Sequence, residues 1–275
     1  MVVISVDQAS IEGADVDIDN RELGTPSRVG LQSPDPDAAA RFYATLFGWE
    51  FGDTSPEANG YRTALLRERP AAGVGSIREP GRPGWTAYAA VADVDEVASK
   101  VTAAGGTILS RSGDASIVGP EDASGAGREI VFADPSGARF AVWQAGDRKG
   151  AAAVNEPGTF SWAELISDDV DSSAAFYGSV FGWTVTGPEG PMNRREWRLD
   201  GRSIAGLLPR PPAMAKDIPP YWDVYFTVAD AAATAETAVN AGGTQLMPPT
   251  DIGAGHIAVF LDPAGAVFTV MAPKS

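Results

Sequence analysis

The sequence contains no cysteine and a single histidine, His256, among its 275 residues. The lack of cysteine excludes disulfides, thiolate metal ligands and cysteine nucleophiles, and it is typical of proteins kept in a reducing compartment. One imidazole cannot supply the several nitrogen ligands of a histidine-based metal site. His256 falls at the start of a predicted strand, and the interpretation that we favour is a surface or hydrogen-bonded histidine.

Basic residues are also scarce, and long apolar runs are absent. The chain has 21 Lys and Arg against 36 Asp and Glu, a formal charge of -15. Such a field repels phosphate backbones and anionic lipids, so we predict no nucleic-acid and no membrane partner. No apolar run approaches the roughly 20 residues of a bilayer span, and the first residues lack the pattern of a signal peptide. These features predict a cytoplasmic protein.

The sequence does contain a long internal repeat. Residues 42–51 read FYATLFGWEF, and residues 176–185 read FYGSVFGWTV. A period near half the chain length favours two copies of one unit. We predict a flexible acidic arm over residues 1–25, a first domain over 26–146, a linker over 147–158 and a second domain over 159–275.

The repeated segment is predicted to be an amphipathic helix. In the first half the apolar side chains recur at the spacing of one helical stripe: Ala39, Phe42, Tyr43, Leu46 and Phe47. Asp35 can cap the amino terminus, Pro36 suits the first turn, and Gly48 can end the helix in a left-handed conformation. The second half repeats the pattern around Asp169, Phe176, Tyr177 and Gly182.

The correspondence extends beyond this helix. YAAVADVDEV at 88–97 matches YFTVADAAAT at 225–234, and FADPSGARFAVW at 132–143 matches FLDPAGAVFTVM at 260–271. The last pair predicts two strands joined by a DPxG turn. Each half therefore contains a strand, a helix and several strands, twice over. The sequence predicts an α+β fold built from four such modules.

These motifs resemble the vicinal oxygen chelate superfamily, also called the glyoxalase/bleomycin resistance protein/dioxygenase superfamily. The similarity covers about residues 26–273 and is greatest to two-domain actinobacterial glyoxalase-like proteins, some from antibiotic gene clusters. It implies a tandem pair of domains whose four βαβββ modules form two cup-shaped eight-stranded sheets. Members include metalloenzymes, thiol transferases and metal-free drug-binding proteins, so the resemblance alone leaves the activity open.

The resemblance also implies where a metal ion would bind. Family sites take His, Gln or Glu from the first strand, from the strand opening the second module and from the last strand of a cup. The matching positions in this sequence are Arg28, Ala87, Ala141, Trp162, Val224 and Thr269. None has the required side chain, so we predict no metal site and no cofactor.

Period-2 alternation indicates which side chains face each cup. Val29, Leu31, Ala163 and Leu165 are expected to meet the helices. The residues expected inside, and predicted to bind a ligand, are Arg28, Gln32, Trp85, Trp143, Trp162, Glu164, Trp197, Trp222 and Met271. Trp49 and Trp183 are expected in the core. Small residues such as Gly30, Ala87 and Ala89 are expected to leave room for a flat aromatic ligand.

Two irregular segments flank the expected cups. The first half carries RSGDASIVGPEDASGAGRE over residues 111–129, nine residues longer than its counterpart. This segment is predicted to be either a loop over the first cup or a surface decoration. RPPAMAKDIPPYW over residues 210–222 is predicted to be a proline-stiffened linker.

The leading hypothesis is a metal-independent protein that binds or sequesters an aromatic small molecule, such as an aromatic polyketide antibiotic. It would act in self-resistance, or as an accessory that removes product from a tailoring oxygenase. No catalytic residue is assigned under this hypothesis. One alternative is an enzyme, either metal-free with Glu164 or His256 moving a proton or binding metal through unrecognised carboxylates. Another is an interaction protein whose cups are plugged by tryptophan. Both a monomer and a homodimer fit the sequence.

Overall fold

A computed structural model of the chain describes residues 23–52, 61–77, 82–111, 127–145, 153–190, 192–212 and 214–274. Within these ranges the chain forms two eight-stranded mixed sheets and four helices, the predicted α+β fold. No helix in these ranges is both long and apolar enough to cross a bilayer. Of the predicted arm, only residues 23–25 are among the described residues. Residues 112–126 of the long first-half segment also lie outside the described residues.

The first half supplies strands β1–β8 and helices α1 and α2. Their bounds are β1 Pro26–Ser33, α1 Pro36–Phe47, β2 Glu50–Phe51, β3 Arg62–Leu66, β4 Arg69–Ser76, β5 Gly84–Ala90, α2 Val94–Ala103, β6 Thr107–Arg111, β7 Arg128–Ala133 and β8 Arg139–Gln144. The strand order is β2-β3-β4-β1-β5-β8-β7-β6. Two modules thus join at the antiparallel β1–β5 pair to make one sheet.

The second half repeats this arrangement with strands β9–β16. Their bounds are β9 Phe160–Ser167, α3 Val170–Phe181, β10 Thr184–Val185, β11 Arg195–Leu199, β12 Arg202–Pro209, β13 Tyr221–Thr227, α4 Ala231–Asn240, β14 Thr244–Asp251, β15 Gly255–Leu261 and β16 Val267–Pro273. The order β10-β11-β12-β9-β13-β16-β15-β14 matches the first sheet strand for strand. We call the face of each sheet opposite its helices the first cup and the second cup.

The repeated helices form as the sequence predicts. Asp35 Oδ1 accepts a hydrogen bond from Ala38 N at 2.9 Å, and Gly48 ends α1 with φ of 70°. Asp169 and Gly182 do the same for α3. A left-handed residue at the carboxyl end allows the chain to turn back toward the sheet, which glycine does without steric cost.

The contact between the halves explains why the two helices have similar sequences. Tyr43 in α1 donates to Asp262 of the second-half DPxG turn at 3.2 Å, and Trp49 donates to the Gly158 carbonyl at 2.7 Å. The second half makes the equivalent contacts with the first. Tyr177 donates to Asp134 at 3.2 Å, and Trp183 donates to the Gly24 carbonyl at 2.8 Å. The repeated motifs are therefore recognition elements between the halves.

Aromatic packing reinforces this reciprocal contact. Phe47 lies 4.8 Å from Phe226 between ring centroids, and Phe140 lies 4.9 Å from Trp222. One hydrophobic core consequently runs through both halves, with Trp49 and Trp183 each 3% exposed within it, as predicted. Burial of large rings on both sides makes the halves a single packed unit.

The predicted faces are confirmed for the first and last strands of each half but are wrong for β5 and β13. Val29, Leu31, Ala163 and Leu165 pack into the helix-side core as expected. Trp85, Ala87 and Ala89 also lie in this core, as do Trp222, Val224 and Phe226. Both faces of β5 and β13 are largely buried, so alternation is not visible in their hydrophobicity and cannot identify the cup side.

Candidate functional site in the second cup

The second cup contains a cavity of about 850 Å³. Strands β9, β13, β15 and β16 contribute its floor, including Trp162, Glu164, Asp223, Tyr225 and Met271. This volume is within the range of about 300 to 1,000 Å³ that small-molecule sites occupy. The cavity is therefore large enough for a polycyclic ligand.

A buried ionic network lies on the β9 side of the floor. Arg194 Nε donates to Glu164 Oε1 at 2.5 Å, and the Tyr225 hydroxyl donates to Glu164 Oε2 at 2.8 Å. The side chains of Arg194 and Glu164 are 16% and 5% exposed. Both carboxylate oxygens of Glu164 thus accept hydrogen bonds, which hold the side chain in place. A carboxylate held in this way is poorly suited to act as a general base.

Asp223 lies beside this network with a different environment. The Thr269 hydroxyl donates to Asp223 Oδ2 at 2.6 Å, while Oδ1 is buried without a partner in hydrogen-bonding geometry among the described residues. Burial raises the pKa of Asp223 to about 7, and the nearby charge of Glu164 adds to the rise, whereas the hydrogen bond from Thr269 and the proximity of the Val224 N–H oppose it. Asp223 therefore exchanges its proton near neutral pH.

Trp162 is the tryptophan among the residues lining this cavity. Its indole Nε1 is buried and has no hydrogen-bond partner among the described residues, and the Arg194 guanidinium lies 5.8 Å from the ring centroid. An indole N–H without a partner is a ready donor to a ligand acceptor, and the ring face can stack on a flat ligand. Trp162 thus offers both recognition modes.

The cavity mouth is apolar and rich in methionine. Met192 and Leu246 are 44% and 53% exposed there, and Met214 and Met247 line the wall. Residues 210–222, predicted as a linker, contribute Pro211, Met214 and Ile218 to the wall. Flexible thioether side chains adapt to irregular ligands, and the described residues of this segment that line the wall belong to the site.

The residues of the cups do not fit the metal that the fold family implies. Strand pairing places Tyr88 beside Arg28 and Ala141, and Tyr225 beside Trp162 and Thr269. The cup-facing residues of β5 and β13 are therefore Tyr88 and Tyr225, one residue away from the predicted Ala87 and Val224. In the described part of the chain no three His, Cys, Asp or Glu side chains are grouped to hold a metal ion.

Three tryptophans predicted for the cups lie in the core instead. Trp85 Nε1 donates to the Tyr43 hydroxyl at 2.9 Å, and Trp222 Nε1 donates to the Tyr177 hydroxyl at 2.7 Å. These hydroxyls belong to helix residues, so both indole N–H groups find their acceptors on the helix side of the sheet. Trp197 is fully buried and lies 5.5 Å from Trp183 between ring centroids. In β11 the residue paired with Gly206 on the cup side is Glu196, so its neighbour Trp197 lies on the opposite, helix-side face.

The remaining predicted residues lie on the cup faces. Trp162, Glu164 and Met271 line the second cavity. In the first cup the Arg28 guanidinium lies 4.5 Å from the Trp143 ring centroid, and Gln32 Oε1 accepts from Arg139 at 3.3 Å. The structure therefore divides the predicted site between the two cups.

Three residues of the floor were missed from the sequence: Asp223, Tyr225 and Arg194. The signal for the first two was available in YWDVYF, where an aspartate interrupts an apolar strand and shares its face with Tyr221 and Tyr225. Arg194 carried no such signal, because it precedes β11 and reaches Glu164 only through the folded sheet.

His256 is exposed on the face of β15 opposite the cavity-lining Ile257 and Val259.

Comparisons with solved structures show the same fold. The chain superposes on the Mn(II)-bound glyoxalase from Novosphingobium aromaticivorans with a TM-score of 0.62 and 19% identity, covering 92% of this chain and 83% of that one. The 2,3-dioxygenase LapB from Pseudomonas sp. KL28 gives 0.61 and 13%, covering 90% and 92%. At these identities the likeness is one of fold alone.

Sequence comparisons establish the family. The chain is 38% identical over 260 residues to CFP32 of Mycobacterium tuberculosis, a protein named as a glyoxylase. The match covers 91% of this chain and 95% of the relative. The anthracycline biosynthesis protein DauV of Streptomyces sp. (strain C5) is 36% identical over 266 residues, covering 90% and 93%. A glyoxalase-like domain model matches residues 28–143, and the Glyoxalase/Bleomycin resistance protein/Dioxygenase superfamily model matches residues 159–270. The chain belongs to this superfamily.

Proposed function

We propose that the chain binds an aromatic small molecule in the second cup without a metal ion. The observation that carries the proposal is the cavity of about 850 Å³ lined by Trp162, Tyr221, Tyr225 and a methionine-rich mouth. Stacking that removes about 400 Å² of apolar surface from water contributes about 10 kcal/mol. Association costs of about 4 to 15 kcal/mol bring this to roughly micromolar affinity, so polar anchors set the rest.

The class of ligand that we favour is an aromatic polyketide or a related natural product. Two similar proteins carry the name anthracycline biosynthesis protein, DauV and DnrV. Their names associate this branch of the superfamily with an antibiotic pathway, which supports the proposal. The proposed use is self-resistance, or removal of product from a tailoring oxygenase.

Tryptophan fluorescence tests the binding proposal directly. Titration with anthraquinone and with anthracycline aglycones is expected to quench emission with micromolar midpoints. Trp162 lines the cavity, so Trp162→Phe should lose most of the quenching, whereas Trp143→Phe in the first cup is the matched control. A broad panel of tricyclic and tetracyclic compounds that leaves the emission unchanged would contradict the proposal.

Metal analysis tests the second part of the proposal. Protein purified without chelator is expected to carry no stoichiometric Fe, Mn, Ni or Zn, and EDTA should leave ligand affinity unchanged. A stoichiometric ion whose removal abolishes ligand binding would contradict metal independence.

The two proposed uses are separated by cellular and enzymatic measurements. Self-resistance predicts that expression raises the antibiotic concentration that a sensitive host tolerates. An accessory role predicts that the protein relieves product inhibition of a tailoring oxygenase in vitro. Glu164→Ala, which disturbs the cavity floor, should remove whichever effect is found.

A further inference from the structure

The unpartnered oxygen of Asp223 is unusual for a buried carboxyl group. The residue is 5% exposed and lines the second cavity. Its Oδ2 accepts from Thr269, and its Oδ1 has no partner in hydrogen-bonding geometry among the described residues. A buried polar atom without a partner costs free energy, and such atoms are rare in folded proteins. The missing partner is therefore expected to arrive from the cavity side.

The ionisable groups around Asp223 do not supply that partner. Glu164 on β9 pairs with Arg194, and Arg194 also lies 3.9 Å from Glu196 on β11. Tyr221 and Tyr225 on β13 are neutral, because burial raises the pKa of both hydroxyls. Strand β14 brings Asp251, whose carboxylate pairs with Lys274. On β15 and β16 the cavity-lining residues Ile257, Val259 and Met271 are uncharged. No cation among the described residues compensates Asp223.

We propose that Asp223 anchors the ligand of the second cup by accepting a hydrogen bond from an ammonium or hydroxyl group attached to its aromatic system. The inference rests on the proposed binding function and specifies the ligand class: a flat molecule with a hydrogen-bond donor on its edge. The free Nε1–H of Trp162 lines the same cavity and suits an acceptor such as a ring carbonyl. A donor and an acceptor on one ring system would satisfy both orphaned groups.

The anchor couples binding to a proton. When Asp223 is protonated, accepting the ligand donor requires the carboxyl proton to leave: the carboxylic acid and the ligand N–H or O–H become a carboxylate accepting that N–H or O–H, and one proton passes to solvent. Because the pKa of Asp223 is about 7, affinity should rise about tenfold between about pH 6 and pH 8, with about half a proton released per ligand at pH 7.

Three probes of similar size test the anchor: 9-aminoacridine with a cationic donor, 2-hydroxyanthracene with a neutral donor, and anthraquinone with acceptors only. Asp223→Asn is expected to weaken the donor probes about 10- to 100-fold, the usual worth of a charged hydrogen bond, and to leave anthraquinone unchanged. Weakening of the aminoacridine alone supports an ammonium anchor, and weakening of the hydroxyanthracene alone supports a hydroxyl anchor.

Contrary outcomes are separable. If all three probes bind wild type and Asp223→Asn equally, with no pH dependence, the anchor is overturned and the binding function stands. If no probe binds the wild type, the proposed function fails and the anchor with it.

Two further variants keep the test valid if Asp223→Asn folds poorly. Thr269→Val retains the carboxyl group but removes the hydrogen bond that lowers its pKa, so the midpoint of the pH dependence should move upward. An unmoved midpoint would overturn the anchor. Thr86→Val is the matched control, because Thr86 pairs with Gly30 in the first cup as Asp223 pairs with Glu164 in the second. It should leave every binding curve in place.

Discussion

The floors of the two cups occupy equivalent strands but carry different side chains at the same central position. In the first cup Gly30 pairs with Gly73, and the rings of Tyr88 and Tyr61 lie against these two glycines. In the second cup the equivalent pair is Glu164 and Gly206, and the Glu164 carboxylate with the Arg194 guanidinium lies over Gly206. At these equivalent positions the first floor therefore carries tyrosine rings and the second carries an ion pair.

The glycines show that each floor is fitted to its own side chains. A Cβ at Gly73 would lie 2.7 Å from the Tyr61 hydroxyl, and a Cβ at Gly206 would lie 2.9 Å from Arg194 Nη2. The space beside Gly30 was expected to be free for a ligand. The Tyr88 ring occupies it, because a Cβ at Gly30 would lie 3.3 Å from Tyr88 Cε2. The two floors thus share one backbone arrangement but differ in their side chains, and the second cup carries the acidic pair Glu164 and Asp223.

The contact between the halves shows the reverse pattern, because both sides use the same residues in the same roles. Tyr43 with Trp85 and Asp262 is mirrored by Tyr177 with Trp222 and Asp134. A contact shared by both halves constrains both copies, whereas each floor is free to change. The following predictions test that contrast, beginning with the largest expected effect.

Glu164→Ala should lower the free energy of unfolding by about 3 to 5 kcal/mol, because it removes the nearer carboxylate of the largely buried Arg194 and leaves only Glu196, 3.9 Å away. Urea unfolding followed by circular dichroism measures the loss. The double variant Glu164→Ala, Arg194→Ala should lose less than the sum of the single losses. A loss below about 1 kcal/mol for Glu164→Ala would contradict an ionic floor.

Asp223→Asn should gain stability relative to wild type as the pH rises. The raised pKa of Asp223, about 7 in the fold, means that wild type binds this proton more strongly when folded and loses stability between about pH 4 and pH 7. The asparagine variant escapes this loss, so its advantage should grow by on the order of 2 kcal/mol between about pH 5 and pH 8. Thermal unfolding at both pH values measures it, and a constant difference would refute the assignment.

Tyr43→Phe and Tyr177→Phe should each cost about 1 to 3 kcal/mol, because each leaves a buried indole N–H without its acceptor. The two costs should agree to within about 0.5 kcal/mol if the halves contact each other reciprocally. Parallel urea titrations make the comparison. A clear inequality would break the symmetry inferred from the structure.

His256→Ala should change stability by less than about 0.5 kcal/mol, because the side chain is exposed and outside the cavity. Ligand affinity in the fluorescence titration should also be unchanged. A loss of binding would place the histidine in the site and would favour the proton-transfer alternative.

The fold was largely predictable, and the site only partly. The repeated FYxxLFGW and DPxG segments carry caps, turns and a helical stripe that act locally, so the elements and their order follow from neighbouring residues. Trp162, Glu164 and Met271 lie on the cup side of β9 and β16, as the period-2 alternation of these strands predicted. Trp85 and Trp222 were misplaced because their strands are buried on both faces, and Trp197 was misplaced because it lies one residue away from Glu196, the cup-facing residue of β11.

The amino-acid order alone determined that this chain folds as two similar halves, since capping, turn chemistry and hydrophobic periodicity are local properties. Only the tertiary structure decided which face of β5 and β13 meets solvent or ligand, which indoles find hydroxyl partners, and which carboxyl group is left without one. Those outcomes depend on contacts between residues far apart in the chain, such as Arg194 with Glu164 and Thr269 with Asp223, and no local pattern encodes them.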